Sequence, residues 1–176
     1  MDKVTTYRGS HRSISFEIKR FDDYRGNKKW TFYLYLKELQ FSKEVFKKLW
    51  LKPRWYTFGG KKTIVYDYCK CDIINAIDFH GGCTWYSKEA GYDKESKCVK
   101  VGCDYSHLYD DIYIYSENIL EFDAKRAIDS LYIAVPDIKK WCWHCGDYGI
   151  EGYVEPRNDG NYICSQCWEK VDKKNE

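Results

Sequence analysis

A chain of 176 residues with 44% hydrophobic and 32% charged residues has the balance of one globular domain with at most a small appendage, which excludes a disordered or fibrous protein. The polar start MDKVTTYRGSHR lacks the pattern of a signal peptide, and no run nears the 18 apolar residues of a membrane span, so no membrane partner and a cytoplasmic location are expected. The net charge of +2 hides an asymmetry: residues 1–63 carry +10, residues 64–136 carry −6 and residues 137–176 carry −2.

Taken in chain order, the segment RSISFEIKR alternates Ile14, Phe16 and Ile18 against Ser13, Ser15, Glu17 and Lys19, the period-2 pattern of a half-buried strand. Turn residues follow. WTFYLYL (30–36) resumes the alternation with Trp30, Phe32, Leu34 and Leu36 on one face, which predicts an antiparallel hairpin. Ser42 then caps a short helix with Val45, Phe46, Leu49 and Trp50 on one face, stopped by Pro53. Gly59-Gly60 predicts a second hairpin turn. Cys69-x-Cys71 and the apolar stretch closed by Phe79 read as strands, followed by a His80-Gly81-Gly82 corner.

Beyond the corner, Val99, Val101, Cys103 and Tyr105 alternate with Lys100, Gly102 and Asp104, predicting a third hairpin with the strand near Tyr86. IYIY (112–115) reads as one more short strand. Asp123 is expected to cap a helix running to about Val135, with Ala127, Ile128, Leu131 and Tyr132 inward and Pro136 as its stop. The expected fold class is α+β, a mainly antiparallel sheet of five to seven strands with one or two helices. This core would span residues 1–138, with a small zinc-binding module over 139–176.

That module carries the clearest motif. Cys142-x2-Cys145 and Cys164-x2-Cys167 stand 18 residues apart, the spacing of a four-thiolate zinc site. Four thiolates close the coordination sphere, so the expected cofactor is one structural zinc ion, in a zinc ribbon or treble-clef finger, and not a catalytic one. The other cysteines, Cys69, Cys71, Cys83, Cys98 and Cys103, have no ligand spacing and read as free thiols.

Two polar motifs remain in the middle of the chain: His80-Gly81-Gly82-x-Thr84 and Gly102-Cys103-Asp104-Tyr105-x-His107-x-x-Asp110-Asp111. If the flanking strands pair, His80 and Asp104 to His107 fall at the same end of the sheet and wall a pocket. His80, the amides of Gly81 and Gly82, Thr84, Asp104 and His107 would then supply polar contacts, and Trp85 and Tyr105 would stack. Residues 77–111 resemble an HGG-x-T…G-x-D-x-x-H-x-x-D pattern of uncharacterised small accessory proteins of tailed bacteriophages and prophages. The resemblance implies a phage protein in the bacterial host cytoplasm that counters a host defence, by sequestering or degrading a nucleotide signal or by blocking a defence enzyme.

The leading expectation is therefore a protein that binds a small anionic, nucleotide-derived ligand. An enzyme ranks second, a phosphodiesterase using His80, Asp104, His107 and Asp110 as acid, base or divalent-metal ligands, because no complete hydrolase signature is present. A third alternative is binding of nucleic acid or of a host defence protein. For it, Arg25, Lys28, Lys29, Arg54, Lys61 and Lys62 cluster at two predicted turns beside Trp30, Trp55 and Tyr56. A homo-oligomer is compatible with the sequence.

Overall fold

The computed structural model describes residues 3–22, 28–90, 97–105, 115–142, 145, 153–154 and 162–172. The fold is α+β. Five antiparallel strands form the main sheet: β1 (Lys3–His11), β2 (Ile14–Asp22), β3 (Lys28–Lys37), β6 (Trp85–Ala90) and β7 (Lys97–Tyr105), in the order β1-β2-β3-β7-β6. The alternation read from the sequence fixes which face is buried. Ile14, Phe16 and Ile18 of β2, Phe32, Leu34 and Leu36 of β3, and Val99, Val101, Cys103 and Tyr105 of β7 all pack inward.

Helix α3 (Glu117–Ala134) covers that face with Leu120, Ala124, Ala127, Ile128 and Leu131. Its N-cap is Ser116, whose hydroxyl accepts from the Ile119 amide, and not Asp123. Asp123 lies inside the helix, about two turns further on, where its carboxylate accepts from the Tyr105 hydroxyl. Helix α1 (Lys43–Leu49) is capped by Ser42 as expected and buries Phe46 and Leu49.

Between α1 and the sheet's far edge the chain departs from expectation twice. Cys69 and Cys71 belong to a single 3-10 turn (Tyr68–Lys70) and its end, with Cys69 exposed and Cys71 buried, so they do not share a side. The stretch before the corner is a short helix, α2 (Asp72–Asn75), that buries Ile74, with Ile77 buried just beyond its end. Short apolar runs fit either period, and here packing against α1 decides. Trp30, read from the sequence as a stacking residue, is in the core.

β1 carries no sequence signal of a strand. It is an edge strand paired to β2 along its whole length, with Val4 and Tyr7 exposed. Its turn to β2 consists of Arg12 and Ser13, both at positive φ, +45° and +71°. That is the primed-turn geometry which matches strand twist, and side chains other than Gly or Asn adopt it only when tertiary contacts hold them there. The predicted IYIY strand lies, apart from Tyr115, outside the described residues, as do His107, Asp110 and Asp111.

Candidate functional site

The hairpin of β6 and β7 brings the corner and the Asp104 motif together. The Thr84 amide donates to the Gly102 carbonyl at 2.9 Å, and the Asp104 amide donates to the Thr84 hydroxyl at 3.1 Å. These two bonds extend the ladder beyond β6 and tie the end of the corner to β7. Gly81 and Gly82 have φ of +67° and +93°, a region that side chains rarely adopt, and the Gly82 amide closes the turn onto the Phe79 carbonyl at 3.0 Å. The double glycine therefore reverses the chain within one turn, leaving the exposed backbone of Gly81 and Gly82 at the mouth of the corner.

His80 is positioned from behind. Its ring stacks on Tyr105 at 4.5 Å with planes 8° apart, and Tyr115 meets both rings edge-on at 5.9 and 4.6 Å. Tyr105 is fully buried and its hydroxyl donates to Asp123 Oδ2 at 2.6 Å; burial, and then that carboxylate, push its pKa well above the usual tyrosine value. Tyr105 thus holds the imidazole and does not itself face solvent. Helix α3 clamps the same corner twice more, through Ser130 Oγ accepting from the Asp78 amide at 2.8 Å and through Arg126 bridging Asp78 and Asp123. None of these α3 partners was legible, because their spacing from the corner in sequence is about 50 residues and helix periodicity reports only the apolar face.

Charge at the corner is mostly negative. Asp78, Asp104 and Asp123 surround it, and Arg126 is already shared by two of them. Cys83 is next to the glycines, but burial pushes its thiol up to about 11, so at neutral pH it is a protonated side chain donating to the Trp85 carbonyl and neither a nucleophile nor a thiolate ligand. Trp85 is half exposed and meets Tyr33 edge-on at 6.2 Å, over Gly102. A Cβ at Gly102 would lie 2.2 Å from the Phe32 carbonyl oxygen, so β3 and β7 can approach at this point only with glycine there.

The four C-terminal cysteines come together as their spacing predicts. The sulfurs of Cys142, Cys145, Cys164 and Cys167 all lie within 4.8 Å of one another, with Cys145 and Cys164 at 4.0 Å. A tetrahedral four-thiolate centre has sulfur–sulfur edges of about 3.8 Å, so the cluster fits one metal ion. Cys142, Cys164 and Cys167 are buried, and the Cys164 amide donates to the Cys142 sulfur at 3.4 Å, which links the two Cys-x2-Cys pairs. Cys164 ends the two-residue strand β9 (Ile163–Cys164), paired with β8 (Tyr153–Val154), and Cys167 sits on helix α4 (Ser165–Asp172). Among the described residues no second group of three or more metal-ligating side chains converges.

The strained β1–β2 turn is where this cluster docks on the sheet. Ser13 Oγ accepts from the Trp141 amide at 2.7 Å, next to Cys142. Arg12 donates to the Tyr162 hydroxyl at 3.1 Å and to Asp129 at 3.0 Å, and its own carbonyl accepts from Tyr132. Sequence reasoning missed Arg12 and Ser13 entirely, since Arg-Ser is no turn signature.

Compared with known proteins, the chain matches no protein-family model, no curated protein and no solved structure. Among the described residues no helix is long and apolar enough to cross a membrane.

Proposed function

We propose that the protein binds a small nucleotide-derived ligand at the His80-Gly81-Gly82 corner. The observation that supports this most directly is the contact between the two polar motifs: Thr84 holds the Asp104 amide while His80 stacks on Tyr105. Side chains that the sequence separates by about 20 residues are pre-positioned at one sheet end, as a binding site requires. The carboxylate-rich surroundings favour recognition of ribose hydroxyls and base N–H donors, with Asp104 as acceptor. The anionic phosphate would then lie outward, on the exposed Gly81-Gly82 backbone.

Zinc is the metal we assign to the four thiolates, in treble-clef form, because the fourth ligand is carried by a helix and soft thiolates select zinc among the abundant divalent ions. The module over residues 139–176 would brace the core of 1–138 through the Arg12-Ser13 turn. A role in countering a bacterial defence, within a host cytoplasm, follows from the resemblance to phage accessory proteins and belongs to the same proposal.

Isothermal titration of the metal-loaded protein against nucleosides, mononucleotides, cyclic nucleotides and ADP-ribose-type compounds tests the site. Binding by one member, lost in His80→Ala with thermal stability and metal content unchanged, supports it. Product appearing with that ligand, and lost in the same variant, would turn the reading toward a phosphodiesterase. No heat with any member would overturn it.

A further inference from the structure

The hairpin predicted at Gly59-Gly60 forms a separate two-stranded ribbon, β4 (Arg54–Phe58) and β5 (Lys61–Val65), and every residue of both strands is exposed. Such a ribbon has no core of its own. It nevertheless carries large apolar side chains on both faces: Trp55 opposite Ile64 on one, and Tyr56, Phe58 and Val65 on the other. Trp55 is 67% exposed and Phe58 78%. Aromatic rings this open to water on an arm that stabilises nothing else call for a partner.

The charge around them says which kind. Residues 43–65 contain seven Lys or Arg and a single acid, Glu44, a net charge of +6 in a chain whose total is +2. Arg54 is tied to Asp67, whereas Lys52, Lys61 and Lys62 form no ion pair with a described carboxylate. The basic surface continues at the root of the ribbon, where Lys88 lies 4.4 Å over the Trp50 ring and 5.4 Å over that of Tyr66. Tyr66 in turn packs on Tyr86 of β6 at 4.8 Å, which anchors the arm to the sheet.

We propose that the β4–β5 ribbon is a binding site for single-stranded nucleic acid, with Trp55, Tyr56 and Phe58 stacking on unpaired bases and Lys52, Lys61 and Lys62 meeting phosphates. A protein partner matched by apolar area alone gives no reason for the absence of acids, and an acidic one gives none for three open aromatic rings. A duplex would offer phosphates and leave the rings without base faces. Recognition would be indifferent to sequence, because each base has a face to stack and the described ribbon residues hold no fixed pair of hydrogen-bonding side chains aimed outward. The site is independent of the corner, so either can fail alone.

Fluorescence anisotropy with labelled dT20, U20 and a 20-base-pair duplex tests it on the metal-loaded full chain; dT20 against U20 separates DNA from RNA as the source. Expected is binding to at least one single strand in preference to the duplex. Trp55→Ala/Phe58→Ala should weaken it about tenfold or more, with thermal unfolding unchanged since both rings are exposed. Lys61→Ala/Lys62→Ala should remove about a sevenfold part of the affinity loss between about 50 and 200 mM salt, the share of two phosphate contacts on a single strand. No binding at low salt, preference for the duplex, or unchanged affinity in the ring variant would overturn the proposal. So would self-association that the ring variant abolishes in sedimentation, without oligonucleotide binding.

Discussion

Glu17→Gln isolates a buried charge network whose worth can be worked from the structure. Glu17 points away from α3, on the polar face of the sheet, yet its side chain is only 3% exposed. Burial alone would raise its pKa. Hydrogen bonds and charge from Lys19 at 3.0 Å and Arg8 at 3.1 Å, with the Tyr35 hydroxyl at 3.1 Å, outweigh burial and hold it at about 2 against an ordinary 4.5. That difference is worth about 3 kcal/mol of folding stability.

Because the folded value is the lower one, the contribution is complete above the unfolded pKa of 4.5 and is lost as the pH falls from there toward 2. Glutamine keeps the shape and removes the charge, leaving Lys100, whose ammonium is 3.4 Å from Glu17 and 4.3 Å over the Tyr33 ring, without its main counter-ion. Urea unfolding of wild type and variant should differ by about 3 kcal/mol at neutral pH, and the gap should close in acid. Acid also strips metal from thiolates, but it does so in both proteins, so their difference reports Glu17. A gap below about 1 kcal/mol at neutral pH, or one that does not narrow on acidification, would refute this reasoning.

Two further outcomes are expected. Cys164→Ser, or a strong chelator, should abolish bound metal as measured by elemental analysis and lower the thermal midpoint, because a segment of this size cannot fold on its apolar contacts alone. Gly102→Ala should cost about 3 kcal/mol or leave the protein insoluble, since its methyl group meets the Phe32 carbonyl oxygen at 2.2 Å; circular dichroism and soluble yield read this directly.

The central strands were legible because they bury one face: β3 and β7 carry apolar residues at every second position over seven residues and β2 over five. β1 was not, because an edge strand exposed on Val4 and Tyr7 has no such face to record. Glu17 and Lys100 look like solvated strand residues in sequence; only the cross-strand register of β2, β3 and β7 brings them together under Tyr33 and Tyr35. The corner was legible as a turn and as a neighbour of Asp104, because hairpin pairing follows from local pattern. Its support by α3 was not, since that depends on where the helix lands on the sheet. The metal cluster was the easiest part, as ligand spacing within each pair is a local constraint.

The two thiols and the buried tyrosine at the corner are held in their protonated forms. General acid–base chemistry needs a group poised near neutrality, and nucleophilic chemistry needs a deprotonated one. Burial moves both the Cys83 and Cys103 thiols upward, and burial with Asp123 does the same to Tyr105, so all three stay protonated at neutral pH. Asp78 and Asp123 are committed to Arg126. What the corner retains is an imidazole fixed in a stack of aromatic rings, a half-buried Asp104 and exposed glycine backbone: a rigid set of hydrogen-bonding positions with no activated nucleophile beside it. If turnover were nevertheless observed, its rate should be insensitive to Cys83→Ala, because the thiol is held in its unreactive form.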